Sequence, residues 1–138
     1  MSEELRILIA DDQPLMSGAL RVLVDSAPGM TCVGVVANGV EAVEACAAIE
    51  PDVVLMDMQM PRMDGVEATA RISAEAPGVR VLAITTFSSE QYLVPALRAG
   101  AAGYLVKDAP PAEVVDAIRR VHAGDAVFSA RVATDLVE

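Results

Sequence analysis

The sequence predicts an α/β domain: a parallel sheet with helices on both faces. Two observations carry that expectation. Five short apolar runs recur along the chain: Leu5–Ala10, Cys32–Ala37, Val53–Met56, Val79–Ile84 and Gly103–Val106. Most are rich in Val, Ile and Leu and too short to be buried helices, so they read as strands. The longer segments between them have helical spacing, so strand and helix alternate five times. Alternation of this kind joins parallel strands through right-handed helical crossovers.

Composition agrees with one such domain. The chain has 138 residues, 54% of them hydrophobic, which is long and apolar enough for a single sizeable core. Only 3% of residues are aromatic, so that core is aliphatic. The formal net charge is −10 and Lys and Arg nowhere cluster, which disfavours contact with a nucleic-acid backbone. The N-terminal MSEELRILIA is acidic before a short apolar run, unlike a signal peptide. No apolar run reaches the ~18 residues that a membrane span needs. The two cysteines, Cys32 and Cys46, make no disulfide framework and read as reduced thiols of a cytoplasmic protein.

The helix boundaries are marked in order. Pro14 suits a first helical position, where its missing N–H is no loss. Asn38-Gly-Val-Glu41 and Asp64-Gly-Val-Glu67 have capping-box spacing, and Ser88-Ser-Glu-Gln91 repeats the idea. Gly100 and Gly124 stand where two helices should stop. One domain is therefore expected over residues 1–124. The tail, Asp125–Glu138, reads as a loop followed by the start of another helix at Ala130–Val137.

The chemistry is expected at the C-terminal ends of the strands, where ligands of parallel sheets bind. Asp11 and Asp12 follow the first strand and Asp57 closes the third. Such folds commonly set these two strands side by side, so three carboxylates converge. Their repulsion is relieved by protonation or by a hard cation such as Mg²⁺, which keeps waters and accepts phosphate oxygens. Thr85 ends the fourth strand with a hydroxyl, and Lys107 ends the fifth with a compact positive charge. A carboxylate nucleophile, a divalent ion, a hydroxyl donor and an ammonium together describe phosphoryl transfer to an acyl oxygen. Singly, each residue has an ordinary alternative: loop acid, turn residue, strand-end cap, surface lysine. Four strand ends carrying the right residue types in the right order favour the chemical reading. Met56, Met58, Met60 and Met63 are better explained as gap-fillers around this site than as a partner groove.

Four stretches resemble the bacterial response-regulator receiver family. They are Ile-Ala-Asp11-Asp12-Gln-Pro, Val-Val-Leu-Met-Asp57-Met-Gln-Met-Pro-Arg-Met-Asp-Gly, Ile-Thr85-Thr-Phe and Gly-Tyr104-Leu-Val-Lys107-Asp. The similarity covers about residues 5–124. Asp12-Gln-Pro-Leu and Ala-Leu-Arg-Ala-Gly-Ala-Ala-Gly-Tyr-Leu-Val-Lys-Asp look most like the NarL/FixJ branch, whose members carry a LuxR-type helix-turn-helix after the receiver. The resemblance implies a flavodoxin-like (CheY-like) three-layer fold with five parallel strands in the order 2-1-3-4-5. It implies that Asp57 accepts the phosphoryl group from a sensor histidine kinase. Asp11, Asp12, Asp57 and the Gln59 main-chain carbonyl would hold Mg²⁺, Asp12 being a direct ligand. Thr85 and Lys107 would hold the phosphoryl oxygens, and Tyr104 would be the switch aromatic that turns inward as Thr85 moves to the phosphate. It further implies no turnover beyond the domain's own phosphorylation and dephosphorylation, and a homodimer when phosphorylated. Residues 125–138 would begin a linker to a C-terminal domain that alone contacts DNA.

Two places depart from the family pattern. Pro95 falls in the middle of the expected fourth helix, Ser89–Ala99, where it would cost ~3 kcal/mol and make the helix kink, start late or stay mobile. Pro110-Pro111 opens the fifth helix where Ser-Pro is usual, so a side-chain cap is missing. Readings from other classes fit less well. A phosphatase of the haloacid dehalogenase type would carry Asp-x-Asp on its first strand and a cap domain, whereas here the acids are adjacent. A flavodoxin-type cofactor binder would need a hydroxyl-rich phosphate loop where Asp11 and Asp12 stand. A stand-alone interaction module would share the receiver chemistry and differ only in the chain beyond residue 138.

Overall fold

A computed structural model describes residues 4–86 and 90–128. In chain order the elements are β1 (Leu5–Ala10), α1 (Pro14–Ser26), β2 (Met30–Val36), α2 (Gly39–Ile49), β3 (Val53–Asp57), α3 (Gly65–Glu75), β4 (Arg80–Thr85), a 3₁₀ turn (Glu90–Tyr92), α4 (Leu93–Ala99), β5 (Gly103–Val106), α5 (Pro111–His122) and β6 (Val127–Phe128). The strands form one sheet, β2-β1-β3-β4-β5-β6, and every pairing is parallel.

The alternating faces of the strands build two cores. Leu8, Ala10, Val54, Met56, Val81, Ala83 and Tyr104 face α2, α3 and α4. Ile7, Ile9, Val53, Leu55, Leu82, Ile84 and Leu105 face α1 and α5. This gives the expected three layers. All five residues of β3 are buried, which is why a central parallel strand reads as an unbroken apolar run. Met56, Met58 and Met60 are buried in the first core and Met63 packs against it, as gap-filling methionines should. Cys46 is buried, and burial pushes its thiol up to about 12. Cys32 is half-buried, and both cysteines are free thiols. Among the described residues, no helix is long and apolar enough to cross a membrane.

The order 2-1-3-4-5 holds, but the sheet has a sixth strand where five were expected. The Val127 N–H donates to the Ala102 carbonyl at 3.2 Å and the Val127 side chain is buried. A two-residue strand has no period to detect, so in sequence Val127-Phe128 reads as part of a loop. The expected cap at Ser88–Gln91 and the expected helix at Ala130–Val137 fall wholly or partly outside the described residues.

The capping residues act as their spacing suggests. The Asn38 side chain accepts from the Glu41 N–H, and Asp64 from the Glu67 N–H, each at 2.9 Å. Gly100 and Gly124 end α4 and α5 with φ of +110° and +103°. Pro110 caps α5 without a side-chain bond. The fourth helix starts late, one of the three outcomes expected of Pro95. Its first residue is Leu93, so Pro95 lies in the first turn, where backbone N–H groups have no intrahelical acceptor to lose. The ~3 kcal/mol that a helix-interior proline costs does not apply there.

Candidate functional site

The sheet itself brings the acids together. β1 and β3 are neighbours, with Ala10 opposite Met56, so Asp11 and Asp57 come next on adjacent strand ends. The Asp11 N–H is tied to the Val36 carbonyl of β2 at 3.0 Å. One carboxylate oxygen from each of Asp11, Asp12 and Asp57 lies within 4.8 Å of the others. Asp11 and Asp57 are each 4% exposed, while Asp12 is open to solvent.

Lys107 reaches this cluster from β5. Its backbone N–H donates to the Thr85 carbonyl at 2.7 Å, which fixes the ends of β4 and β5 together. Its ammonium sits 3.1 Å from Asp57 Oδ2, 3.2 Å from Asp11 Oδ2 and 2.8 Å from Gln13 Oε1. The second Asp57 oxygen, Oδ1, accepts the Gln59 N–H at 3.1 Å, which seats Gln59 directly beside the carboxylates. Burial raises the Asp57 carboxyl above the usual carboxylate range. The Gln59 N–H and the Lys107 ammonium oppose the shift and Asp11 adds to it. Three carboxylates facing one ammonium leave two formal negative charges uncompensated, in a pocket with an open side at Asp12. That donor set fits a small divalent cation with oxygen preference.

Thr85 and Tyr104 lie behind the carboxylates. Thr85 is 1% exposed, and among the described residues its hydroxyl, set beside the Tyr104 phenol, makes no hydrogen bond of good geometry. Tyr104 is 2% exposed, so its ring is already inward. Burial pushes its phenol up to about 12, eased by the Thr85 hydroxyl and reinforced by Tyr92. Tyr92 stands on the turn before α4, with its hydroxyl 3.5 Å from Gln59 Nε2, a contact at the limit of a hydrogen bond.

All seven residues expected at the site, namely Asp11, Asp12, Asp57, Gln59, Thr85, Tyr104 and Lys107, belong to this end of the sheet. Sequence reasoning missed Gln13, Tyr92 and the packing role of two glycines. A Cβ on Gly39 would strike the Met63 carbonyl, and one on Gly65 the Asp57 carbonyl and Met58. The β3–α3 loop is thus clamped between two helix N-termini. Gly immediately after each capping residue was the available signal, but it reads equally well as ordinary cap chemistry.

Comparison with known proteins agrees with this geometry. Residues 7–119 match the family model of the response regulator receiver domain. The transcriptional regulatory protein YxjL of Bacillus subtilis is 38% identical over 98% of this chain and 62% of its own length. The nitrate/nitrite response regulator protein NarL of Escherichia coli K12 is 33% identical over 92% of this chain and 59% of its own. Among solved structures, a two-component response regulator of the LuxR family from Aurantimonas sp. SI85-9A1 superposes with a TM-score of 0.90. It is 33% identical, over 99% of this chain and all of that one. The receiver domain of the putative NarL of Mycobacterium tuberculosis gives 0.84 at 33% identity, over 88% of this chain and 98% of that one. The chain spans about three-fifths of the length of the curated relatives it matches. With this fold, this match and these relatives, the chain belongs to the response-regulator receiver-domain family, on its NarL/LuxR branch.

Proposed function

We propose that the domain takes a phosphoryl group onto Asp57. The observation that carries this reading is a buried carboxylate at the end of the central strand β3, with an ammonium 3.1 Å from one oxygen and two further acids within 4.8 Å. In the transfer, an Asp57 oxygen bonds to phosphorus as the phosphorus–nitrogen bond of a sensor kinase's phosphohistidine breaks, leaving an acyl phosphate. Asp11, Asp12, Asp57 and the Gln59 carbonyl are the residues that would hold Mg²⁺. That ion, when bound, neutralises charge on the transferring group. Lys107 stays against a phosphoryl oxygen, and the buried Thr85 hydroxyl donates to another. The domain's only catalysis, on this reading, is of its own phosphorylation and dephosphorylation. Thr85 and Tyr104 relay the new charge to the α4–β5 face, shifting an equilibrium between two packings and favouring a homodimer.

The relatives' names point to the output. Several are transcriptional regulatory proteins, each longer than this chain. We assign residues 1–124 to the receiver and 125–138 to the approach to a DNA-binding domain, an approach that begins with β6, still paired to the receiver's sheet. The assembly works in the cytoplasm, where a sensor kinase can reach it. The test is intact mass before and after a small acyl-phosphate donor with Mg²⁺. One alkali-labile phosphoryl group should appear, and Asp57→Asn should abolish it, since an amide is no nucleophile. Equal labelling of that variant would place the acceptor elsewhere.

A further inference from the structure

We infer that Gln13 is a positioning residue for phosphoryl transfer, holding the Lys107 ammonium at the mouth of the site through its side-chain carbonyl. The inference rests on the reading of Asp57 as the acceptor.

An ammonium has three protons to donate, and Lys107 meets three acceptors. The shortest contact, 2.8 Å, is to the neutral Gln13 Oε1, and the two carboxylate contacts are longer, at 3.1 and 3.2 Å. The two residues lie 94 positions apart, so this contact ties the β1–α1 turn to the end of β5.

Gln13 has no other local task that needs its side chain. It is the residue before α1, with extended backbone (φ −96°, ψ 108°), and its side chain makes no capping bond. Glutamine is not among the residues favoured at that position. Its own N–H is held by Asp11 Oδ1 at 2.8 Å, and Pro14 starts the helix without help. The backbone is thus fixed by the acid cluster and the side chain is aimed across it.

The chemistry explains why a neutral acceptor matters. A cation drawn to Asp11 and Asp57 competes with Lys107 for their oxygens. Transfer then turns one Asp57 oxygen from a carboxylate oxygen into the bridging oxygen of an acyl phosphate. Two of the ammonium's three acceptors are therefore altered by the reaction, while the Gln13 amide is not. It keeps Lys107 within reach of the incoming phosphoryl oxygens throughout, without adding a fourth negative charge to repel the anionic donor.

The test has two readouts. The first is the ¹⁵N-resolved NMR signal of the Lys107 ammonium in the metal-free chain, where full hydrogen bonding slows proton exchange with water. That signal should be visible in wild type and broadened away in Gln13→Ala. The second is phosphorylation by acetyl phosphate with Mg²⁺, in which the donor's phosphorus–oxygen bond breaks, acetate leaves and the Asp57–phosphorus bond forms. Gln13→Ala should lower the maximal rate about fivefold, the effect of losing one exposed charge-assisted hydrogen bond. Gln13→Glu keeps an acceptor oxygen at the same reach. It should restore the maximal rate while raising the donor concentration needed for half of it. In a Lys107→Ala background, Gln13→Ala should change nothing further, because the residue acts through the lysine. An unchanged ammonium signal in Gln13→Ala overturns the inference, as does an equal slowing with and without Lys107. Absence of labelling in wild type would instead count against Asp57 as acceptor, and the NMR result would still decide the contact. Gln13 is exposed and its side chain caps nothing, so Gln13→Ala and Gln13→Glu should melt with wild type.

Discussion

Thr85→Val separates the resting structure from the phosphorylated one. Thr85 is 1% exposed, and among the described residues its hydroxyl has no hydrogen-bond partner of acceptable geometry. A buried polar group left unpaired costs about 1–3 kcal/mol. Valine has nearly the same shape and keeps the β-branch that suits the end of β4. Replacing the hydroxyl by methyl should therefore stabilise the unphosphorylated domain by about 1–2 kcal/mol. For a domain of this size that is a rise in melting temperature of roughly 3–10 °C. Thermal denaturation followed by circular dichroism measures it directly. The second half of the experiment adds Mg²⁺ and beryllofluoride, a phosphate mimic. Wild type should gain stability as the hydroxyl finds its acceptor, and Thr85→Val should gain less, narrowing or reversing the gap. If Thr85→Val melts at or below wild type without ligand, the hydroxyl is not an unmet cost. If both proteins gain equally from beryllofluoride, Thr85 does not hold the phosphoryl group.

Three other outcomes are expected. Gly65→Ala would drive a Cβ into the Asp57 carbonyl and Met58, so it should destabilise by at least ~1–3 kcal/mol and slow labelling of Asp57; unchanged urea unfolding and labelling would refute the close approach. Tyr104 keeps its proton up to about 12 when folded, against an ordinary 10.0, so the unfolded chain ionises first. Its contribution is intact below pH 10 and lost between there and about 12, totalling about 2–3 kcal/mol. Cys46 acts in the same sense and is present in both proteins, so the steeper alkaline loss of wild type over Tyr104→Phe isolates the phenol; parallel slopes would contradict its burial. Pro95→Ala should not gain the ~3 kcal/mol of a relieved helix interior but lose about 0.4–1 kcal/mol through a freer unfolded chain, measurable by urea titration.

Legibility in the sequence followed periodicity and chemistry. The first five strands were readable because most are short runs rich in Val, Ile and Leu, and because β3, buried on both faces, cannot alternate. The gathering of the candidate residues was readable because a parallel sheet collects its strand ends at one edge, so order along the chain became proximity in space. Gln13 was not readable: its partner lies 94 residues away, and nothing in Asp-Gln-Pro distinguishes a side chain aimed at a lysine from one in water. Tyr92 escaped for the same reason. Pro95 was located correctly within an apolar helical segment, but the cost of a proline depends on its distance from the helix start. A late start at Leu93 is set by the 3₁₀ turn before it, which has no sequence period of its own. β6 was missed because two residues cannot display alternation, and only their pairing with β5 makes them a strand.

The unfavourable features of the site would be relieved by a cation and a phosphoryl group bound together. Asp57 is held in a pocket whose burial works against its charge, beside a second carboxylate that adds to the strain. Lys107 offsets this only in part, since it faces Asp11 as well. The Thr85 hydroxyl is buried in the same corner, beside the Tyr104 phenol and with no hydrogen bond of good geometry among the described residues. None of these costs can be relieved by repacking within the sheet, because β1, β3, β4 and β5 fix the four positions by backbone pairing. A divalent cation would relieve the carboxylates, and a phosphoryl group would supply the acceptor that Thr85 lacks and keep Lys107 engaged. A ligand shifts a two-state equilibrium only by what it binds differentially. A site whose unmet interactions are met by the cation and the phosphoryl group together would make that difference large. The rest of the domain, two aliphatic cores on a rigid parallel sheet, is what lets the strained corner persist until then.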